Sequence, residues 1–208
     1  MLGRKDTPEF WENSFKEKQA MWGFEPTNSA KSALEMFKNN DLKTLLIPGF
    51  GYGRNAKIFY DDGFDITGIE ISQTAIEIAK AHYGNTMKIY HGNVTDMPFD
   101  NRIYDGIFCY ALIHLLGENE RKKLIRDCYL QLKPNGYMMF VTISKNTATY
   151  GEGIELSKNR FTTKHGVNLF YYDTTTIHSE FTEYGLVGTK EMNESSQTLL
   201  SIICRKTL

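Results

Sequence analysis

A chain of 208 residues with 41% hydrophobic and 24% charged side chains is long enough to bury a core without disulfides or metal staples. Its formal net charge of −1 provides no global field to draw in nucleic acid or an anionic membrane, and no Lys/Arg run forms a polybasic anchor. The polar stretch from Met1 to Phe10 predicts no signal peptide, no apolar stretch nears the ~20 residues of a membrane span, and Cys109, Cys128 and Cys204 predict buried reduced thiols. A cytoplasmic enzyme-sized domain without a metal knot is the expectation.

In chain order, Thr7-Pro8-Glu9 predicts a capped helix that ends before Gly23. A turn at Gly23-Phe24-Glu25-Pro26 leads to a second helix, which begins after Asn28 or Ser29 and runs to about Lys38. An alternating pattern follows. Strands are predicted at Thr44 to Pro48, Phe64 to Glu70, Met87 to His91, Asp105 to Tyr110 and Tyr137 to Ser144. Helices are predicted at Arg54 to Asp61, from a Ser72 cap to about Tyr83, and at Glu118 to Leu132. Such alternation implies a parallel sheet covered on both faces. Lys145 to Tyr172 reads as a long irregular connection, and such connections are usually functional or disordered. A helix at about Thr174 to Tyr184 precedes two β-like runs, Leu186 to Met192 and Thr198 to Arg205, which predict an antiparallel hairpin.

The strongest local signal is Ile47-Pro48-Gly49-Phe50-Gly51-Tyr52-Gly53-Arg54-Asn55, between the first strand and a helix. Glycines there permit positive φ and a close approach of ligand to backbone. The crevice beyond the strand ends is where open α/β sheets bind ligands. Arg54 stands where a dinucleotide fingerprint needs a small residue, and no Lys-Ser or Lys-Thr pair follows to make a phosphate-binding P-loop. Glu70, followed by Ile71, closes the second strand, where a carboxylate can accept from both hydroxyls of a ribose. Asn93, with a backbone amide near Val94 or Thr95, can supply the acceptor and the donor that an adenine ring requires.

These residues resemble the class I S-adenosylmethionine-dependent methyltransferases. The likeness rests on Gly49-Phe50-Gly51-Tyr52-Gly53, Glu70, Gly92-Asn93-Val94-Thr95-Asp96-Met97-Pro98-Phe99 and Leu132-Lys133-Pro134-Asn135-Gly136. Ile47-Pro48-Gly49 and Met21-Trp22-Gly23-Phe24-Glu25-Pro26 are similar to a branch that includes tellurite- and thiopurine-type methyltransferases. The resemblance implies a Rossmann-like, mostly parallel seven-stranded sheet of order 3-2-1-4-5-7-6 with helices on both faces. It implies one domain over residues 1–208, with 1–40 as a helical lid and 145–172 as an insert over the acceptor pocket. S-adenosylmethionine is the expected donor, held by Gly49, Phe50, Gly51, Gly53, Glu70, Ile71, Asn93, Val94, Thr95, Tyr110 and Trp22. Two departures stand out: Ile47 replaces an acid that many relatives place near the methionine ammonium, and Asn93 replaces another that faces the adenine amine.

Methyl transfer from a sulfonium is an in-line displacement, and a general base helps only an acceptor that is protonated at neutral pH. His114, after the fourth strand, is the candidate base, or else a satisfied helix-start histidine. Tyr110 lines the donor pocket or packs in the core, and Trp22 covers the donor or packs likewise. Of the insert, Glu152, Glu155, Arg160, His165, Tyr171 and Tyr172 are candidates to read a small-molecule acceptor. A catalytically silent adenosyl-binding or interaction protein on the same fold is one alternative. A nicotinamide-dependent oxidoreductase is another, opposed by Arg54 and the antiparallel ending. Oligomeric state and the methyl acceptor are not encoded in any motif.

Overall fold

The computed structural model describes residues 8–207. The predicted capping residue Thr7 lies outside them. Helix α1 spans Pro8–Lys18 and α2 spans Asn28–Lys38. α1 stops short of Gly23 because Gln19 turns into the left-handed region (φ 51) and its side chain donates to the Phe15 and Lys16 carbonyls. Thr27 caps α2, its hydroxyl accepting from the Ala30 amide at 3.1 Å.

The alternating elements follow: β1 Thr44–Pro48, α3 Ala56–Asp61, β2 Asp65–Glu70, α4 Gln73–Tyr83, β3 Lys88–His91, β4 Tyr104–Tyr110, α5 Glu118–Leu130 and β5 Leu132–Ile143. Ser72 caps α4 as predicted, accepting from Ala75. The turn at Pro134-Asn135-Gly136 sits inside β5 as an excursion, with pairing that jumps from Tyr104↔Leu132 to Gly106↔Tyr137.

The segment read as irregular contains a small antiparallel sheet: β6 Ile154–Ser157, β7 Arg160–Thr162 and β8 Asn168–Phe170. Strands of three and four residues carry too little alternation to be legible, and Asn159 (φ 63) supplies a tight turn without glycine. Helix α6 covers Thr174–Phe181, then β9 Leu186–Glu194 and β10 Gln197–Arg205 close the chain.

The main sheet has the order β3-β2-β1-β4-β5-β10-β9. It is the expected arrangement, the last two strands taking higher numbers only because the insert intervenes. β3 to β5 are parallel, and β10 runs antiparallel to both β5 and β9. Alternation along β1 and β4 divides the core. Leu45, Ile47 and Phe108 meet Ala33 and Phe37 of α2 and Phe59 of α3. Leu46, Ile107 and Cys109 meet Leu124 and Cys128 of α5 and Phe181 of α6. The three cysteines are free and buried, and among the described residues no helix is long and apolar enough to cross a membrane.

Candidate active site

All parallel strands end on one edge, and the loops leaving that edge build the site. The bend after β1 places Gly49, Gly51 and Gly53 at φ 71, 59 and 83, where a side chain is strained. The Gly49 and Phe50 amides each donate to the Ile69 carbonyl at 3.0 Å, which ties the bend to β2. A Cβ on Gly49 would meet Leu112 at 3.0 Å and one on Gly53 would meet Phe50 at 3.0 Å, whereas one on Gly51 would meet nothing within 4 Å. Gly51 therefore presents bare backbone to open space, a cradle suited to a ligand.

Glu70 stands beside it. Its Oε2 accepts from the Gly51 amide at 2.7 Å and its Oε1 from the Ser72 amide at 2.9 Å. Burial pushes its carboxyl upward against those two amide bonds. A carboxylate has about four acceptor positions, so about two remain for hydroxyls of a bound molecule. Ile71, Glu9, Glu12, Gln73 and His91 line a cleft of about 320 Å³ next to it.

Several expected contacts take another form. The Phe50 ring lies over Gly68, where a Cβ would approach it to 2.4 Å, so the ring packs the loop onto β2 and only the Phe50 backbone faces the site. Asn93 Oδ1 accepts from the Thr95 amide at 3.0 Å and caps the short turn Val94–Asp96. The acceptor and one of the two donors assigned to adenine thus satisfy each other, as Asx side chains commonly do. The second lone pair of Asn93 Oδ1 and the Val94 amide, the first of that turn, are the groups left to hold a base.

Trp22 is 50% exposed, so it is no core residue. Its ring stacks 6.3 Å from that of Tyr52, its amide donates to the Tyr52 hydroxyl at 3.0 Å, and Arg54 Nη1 donates to its carbonyl at 3.0 Å. The N-terminal segment is thereby stitched to the glycine loop. Further stitches are Thr27 N to Asn55 Oδ1 (3.0 Å) and Glu12, which accepts from Ser72 Oγ (2.7 Å), Thr74 Oγ1 (2.6 Å) and Thr74 N (3.1 Å). The Thr74 hydroxyl leads these bonds in holding the Glu12 carboxyl at about 2. No local pattern marks Glu12, because its partners lie some sixty residues away on α4.

At the end of β4, Tyr110 donates its hydroxyl proton to Glu194 Oε1 at 2.7 Å. Burial, and then this carboxylate, push the phenol well above its usual range. Ala111 follows at φ 54, an uncommon conformation for a residue with a Cβ. His114 does not behave as the candidate base. It is 8% exposed, its Nδ1 lies 3.3 Å from the Ile143 amide and from Thr142 Oγ1, and burial pushes its imidazole down to about 4. At pH 7 it is a neutral group holding the end of β5, which is the satisfied-histidine alternative.

In the insert, Tyr171 and Tyr172 are fully buried, their hydroxyls donating to the Thr149 carbonyl (3.1 Å) and to Glu180 Oε2 (2.7 Å). Both are framework residues and do not read an acceptor. Arg160 donates to the Leu115 and Leu116 carbonyls, tying β7 to the loop after β4. Arg121, paired with Glu180 at 2.8 Å, reaches the same Leu116 carbonyl at 3.3 Å. Glu152, Glu155 and His165 are exposed.

The glycine bend, the carboxylate on the neighbouring strand and the strand order match what comparison finds. Residues 46–140 match the methyltransferase domain family. Over that stretch, just under half of the chain, the sequence is similar to methyltransferase domains. The likeness to curated proteins covers about half of the chain. A ubiquinone biosynthesis O-methyltransferase of Vibrio vulnificus is 25% identical over 112 residues, covering 52% of this chain and 47% of that protein. A putative methyltransferase of a Geobacillus strain is 29% identical over 111 residues, covering 51% and 45%. These matches therefore span about half the length of the curated relatives. The fold as a whole extends further. A Burkholderia thailandensis 1,6-didemethyltoxoflavin-N1-methyltransferase, solved with its substrate and S-adenosylhomocysteine, aligns at TM-score 0.75 and 13% identity over 97% of this chain and 87% of that one. A Streptomyces caelestis methyltransferase aligns at TM-score 0.74 and 17% identity over 97% and 99%.

Proposed function

We propose that the protein transfers a methyl group from S-adenosylmethionine to a small-molecule acceptor by in-line displacement. The observation that carries this reading is the bare backbone at Gly51 facing open space beside the Glu70 carboxylate, with acceptor positions to spare. That pair fits a ribose, and the cleft by Ile71 and His91 accommodates the group attached to it. When bound, the donor supplies a methyl already activated on a sulfonium. The protein's part is to align and exclude water, which is worth ~7–11 kcal/mol when the geometry is right. Glu70 would hold the sugar, the Val94 amide and Asn93 Oδ1 the base, and Gly49 to Gly53 the amino-acid portion. Residues 8–38, stitched over the strand ends through Glu12, Trp22 and Thr27, would shut out solvent as a lid.

With the Nδ1 position of His114 committed to β5, that ring is not poised as a base. The reading therefore favours acceptors that are nucleophilic without proton removal, or that lose the proton to water. Calorimetry with S-adenosylmethionine, together with release of S-adenosylhomocysteine across a panel of small acceptors, tests the proposal. Glu70→Gln should weaken donor binding at least tenfold, since the amide turns N–H groups toward the Gly51 or Ser72 amide and loses charge toward the hydroxyls. Folded wild-type protein that binds neither the donor nor its demethylated product would defeat the proposal.

A further inference from the structure

Helix α1 is held to the molecule differently from α2. It contributes Phe15 to a small apolar cluster with Tyr52 and Ala75, whereas α2 sends Ala30, Ala33 and Phe37 into the main core. Between the two helices the backbone bends at Gln19 (φ 51) and Gly23 (φ 68), and a Cβ on Gly23 would meet nothing within 4 Å. With so little apolar surface buried, polar contacts decide where α1 rests. Glu12 makes them across the start of α4: Oε2 accepts from Ser72 Oγ at 2.7 Å and from the Thr74 amide at 3.1 Å, and Oε1 from Thr74 Oγ1 at 2.6 Å. The Ser72 amide is the one that supports the Glu70 carboxylate at 2.9 Å, so these bonds close beside the group proposed to hold the sugar. The cleft of about 320 Å³ at that point is lined from α1 by Glu9 and Glu12 and from the sheet edge by Ile71, Gln73 and His91.

We propose that Glu12 is a positioning residue, the latch through which α1 sets how fast the donor enters and leaves the cleft between Ile71 and His91. This inference rests on the methyltransferase reading and adds to it the contact that governs opening. An ionised carboxylate accepting three hydrogen bonds is a stronger tie than a neutral group in its place. Both Glu12 oxygens are engaged with α4, so the latch joins protein to protein and favours the closed arrangement equally before and after binding. Loosening it therefore raises entry and exit by the same factor and leaves the affinity where it was. α4 keeps its own cap without Glu12, because Ser72 Oγ still accepts from the Ala75 amide at 3.1 Å.

Stopped-flow mixing with S-adenosylhomocysteine gives both rates by fluorescence, since the chain's two tryptophans, Trp11 and Trp22, lie on this N-terminal segment. Glu12→Gln should raise the association and dissociation rate constants each about tenfold, with the dissociation constant within about twofold of wild type. Thr74→Val, which removes a donor from the other side of the latch, should move both rates in the same direction. The double variant should add little beyond Glu12→Gln, because the two residues act through one bond. Lys16→Met removes only the exposed partner of Glu12 and leaves every bond to α4 in place, so neither rate should change by more than about twofold. Acrylamide should quench the tryptophans of Glu12→Gln more strongly than those of wild type, with no ligand added. Unchanged rates, unchanged quenching, or a rise in dissociation alone with a matching loss of affinity would overturn the latch while leaving donor binding intact. Wild-type protein that binds neither S-adenosylmethionine nor S-adenosylhomocysteine would overturn the methyltransferase reading and this inference together.

Discussion

At the residue scale, His114 shows how burial reassigns a chemical group. Its imidazole is ordinarily at about 6.5 and is pushed down to about 4. Above pH 6.5 the folded and unfolded chains are both neutral at this ring. As pH falls toward 4 the unfolded chain takes up a proton that the folded one refuses, so stability is lost across that window, about 3 kcal/mol by its lower end. His114→Asn keeps an acceptor for the Ile143 amide without a titrating ring. Urea unfolding from pH 4 to 7 should show a shallower acid loss in that variant by about that amount. Its turnover between pH 6 and 8 should keep the wild-type profile; disappearance of an inflection would return His114 to the role of base. Asn93 teaches a related lesson. Its type and position were legible, but the short range of its amide let it satisfy Thr95 before any ligand.

At the element scale, the closing hairpin follows from two β-like runs joined by a short polar stretch, yet its turn chemistry is unusual. Ser195 and Ser196 both sit at positive φ, 52 and 65, the conformation for which Asn-Gly is best suited. Ser195→Asn with Ser196→Gly should raise stability by about 0.5–1 kcal/mol, read as a higher urea midpoint at unchanged slope. A lower midpoint would mean that the serines make contacts outside the turn. The insert was legible only as an irregular connection, functional or disordered. Its three short strands are held by contacts distant in sequence, such as Arg160 to the Leu115 and Leu116 carbonyls, and no periodicity announces such contacts.

At the scale of the whole molecule, the N-terminal helices, the glycine loop, α4 and the hairpin converge on one edge of the sheet. A ligand that binds there and not to the unfolded chain stabilises the entire fold by mass action, about 2.7 kcal/mol at a hundred times its dissociation constant. For a chain of this size that corresponds to a rise in thermal midpoint of about 5–10 °C. S-adenosylmethionine should give such a rise and NAD should not. A rise with NAD alone would favour the oxidoreductase alternative raised by the βα pattern.

The sequence by itself determined the parallel sheet, its closing hairpin and the glycine bend beside Glu70. Each depends on local properties that a linear pattern records: an apolar run for a buried strand, positive φ for Gly49, Gly51 and Gly53, a Ser72 cap for α4. Only the tertiary structure decided that Glu12 caps α4 from another helix, that Asn93 and His114 are engaged with their own backbone, and that Glu194 locks Tyr110 and Ser29. Those outcomes depend on which side chains meet across long stretches of chain and on how deeply they are buried. Hydrogen-bond partners and desolvation belong to the packed molecule, not to any segment of it.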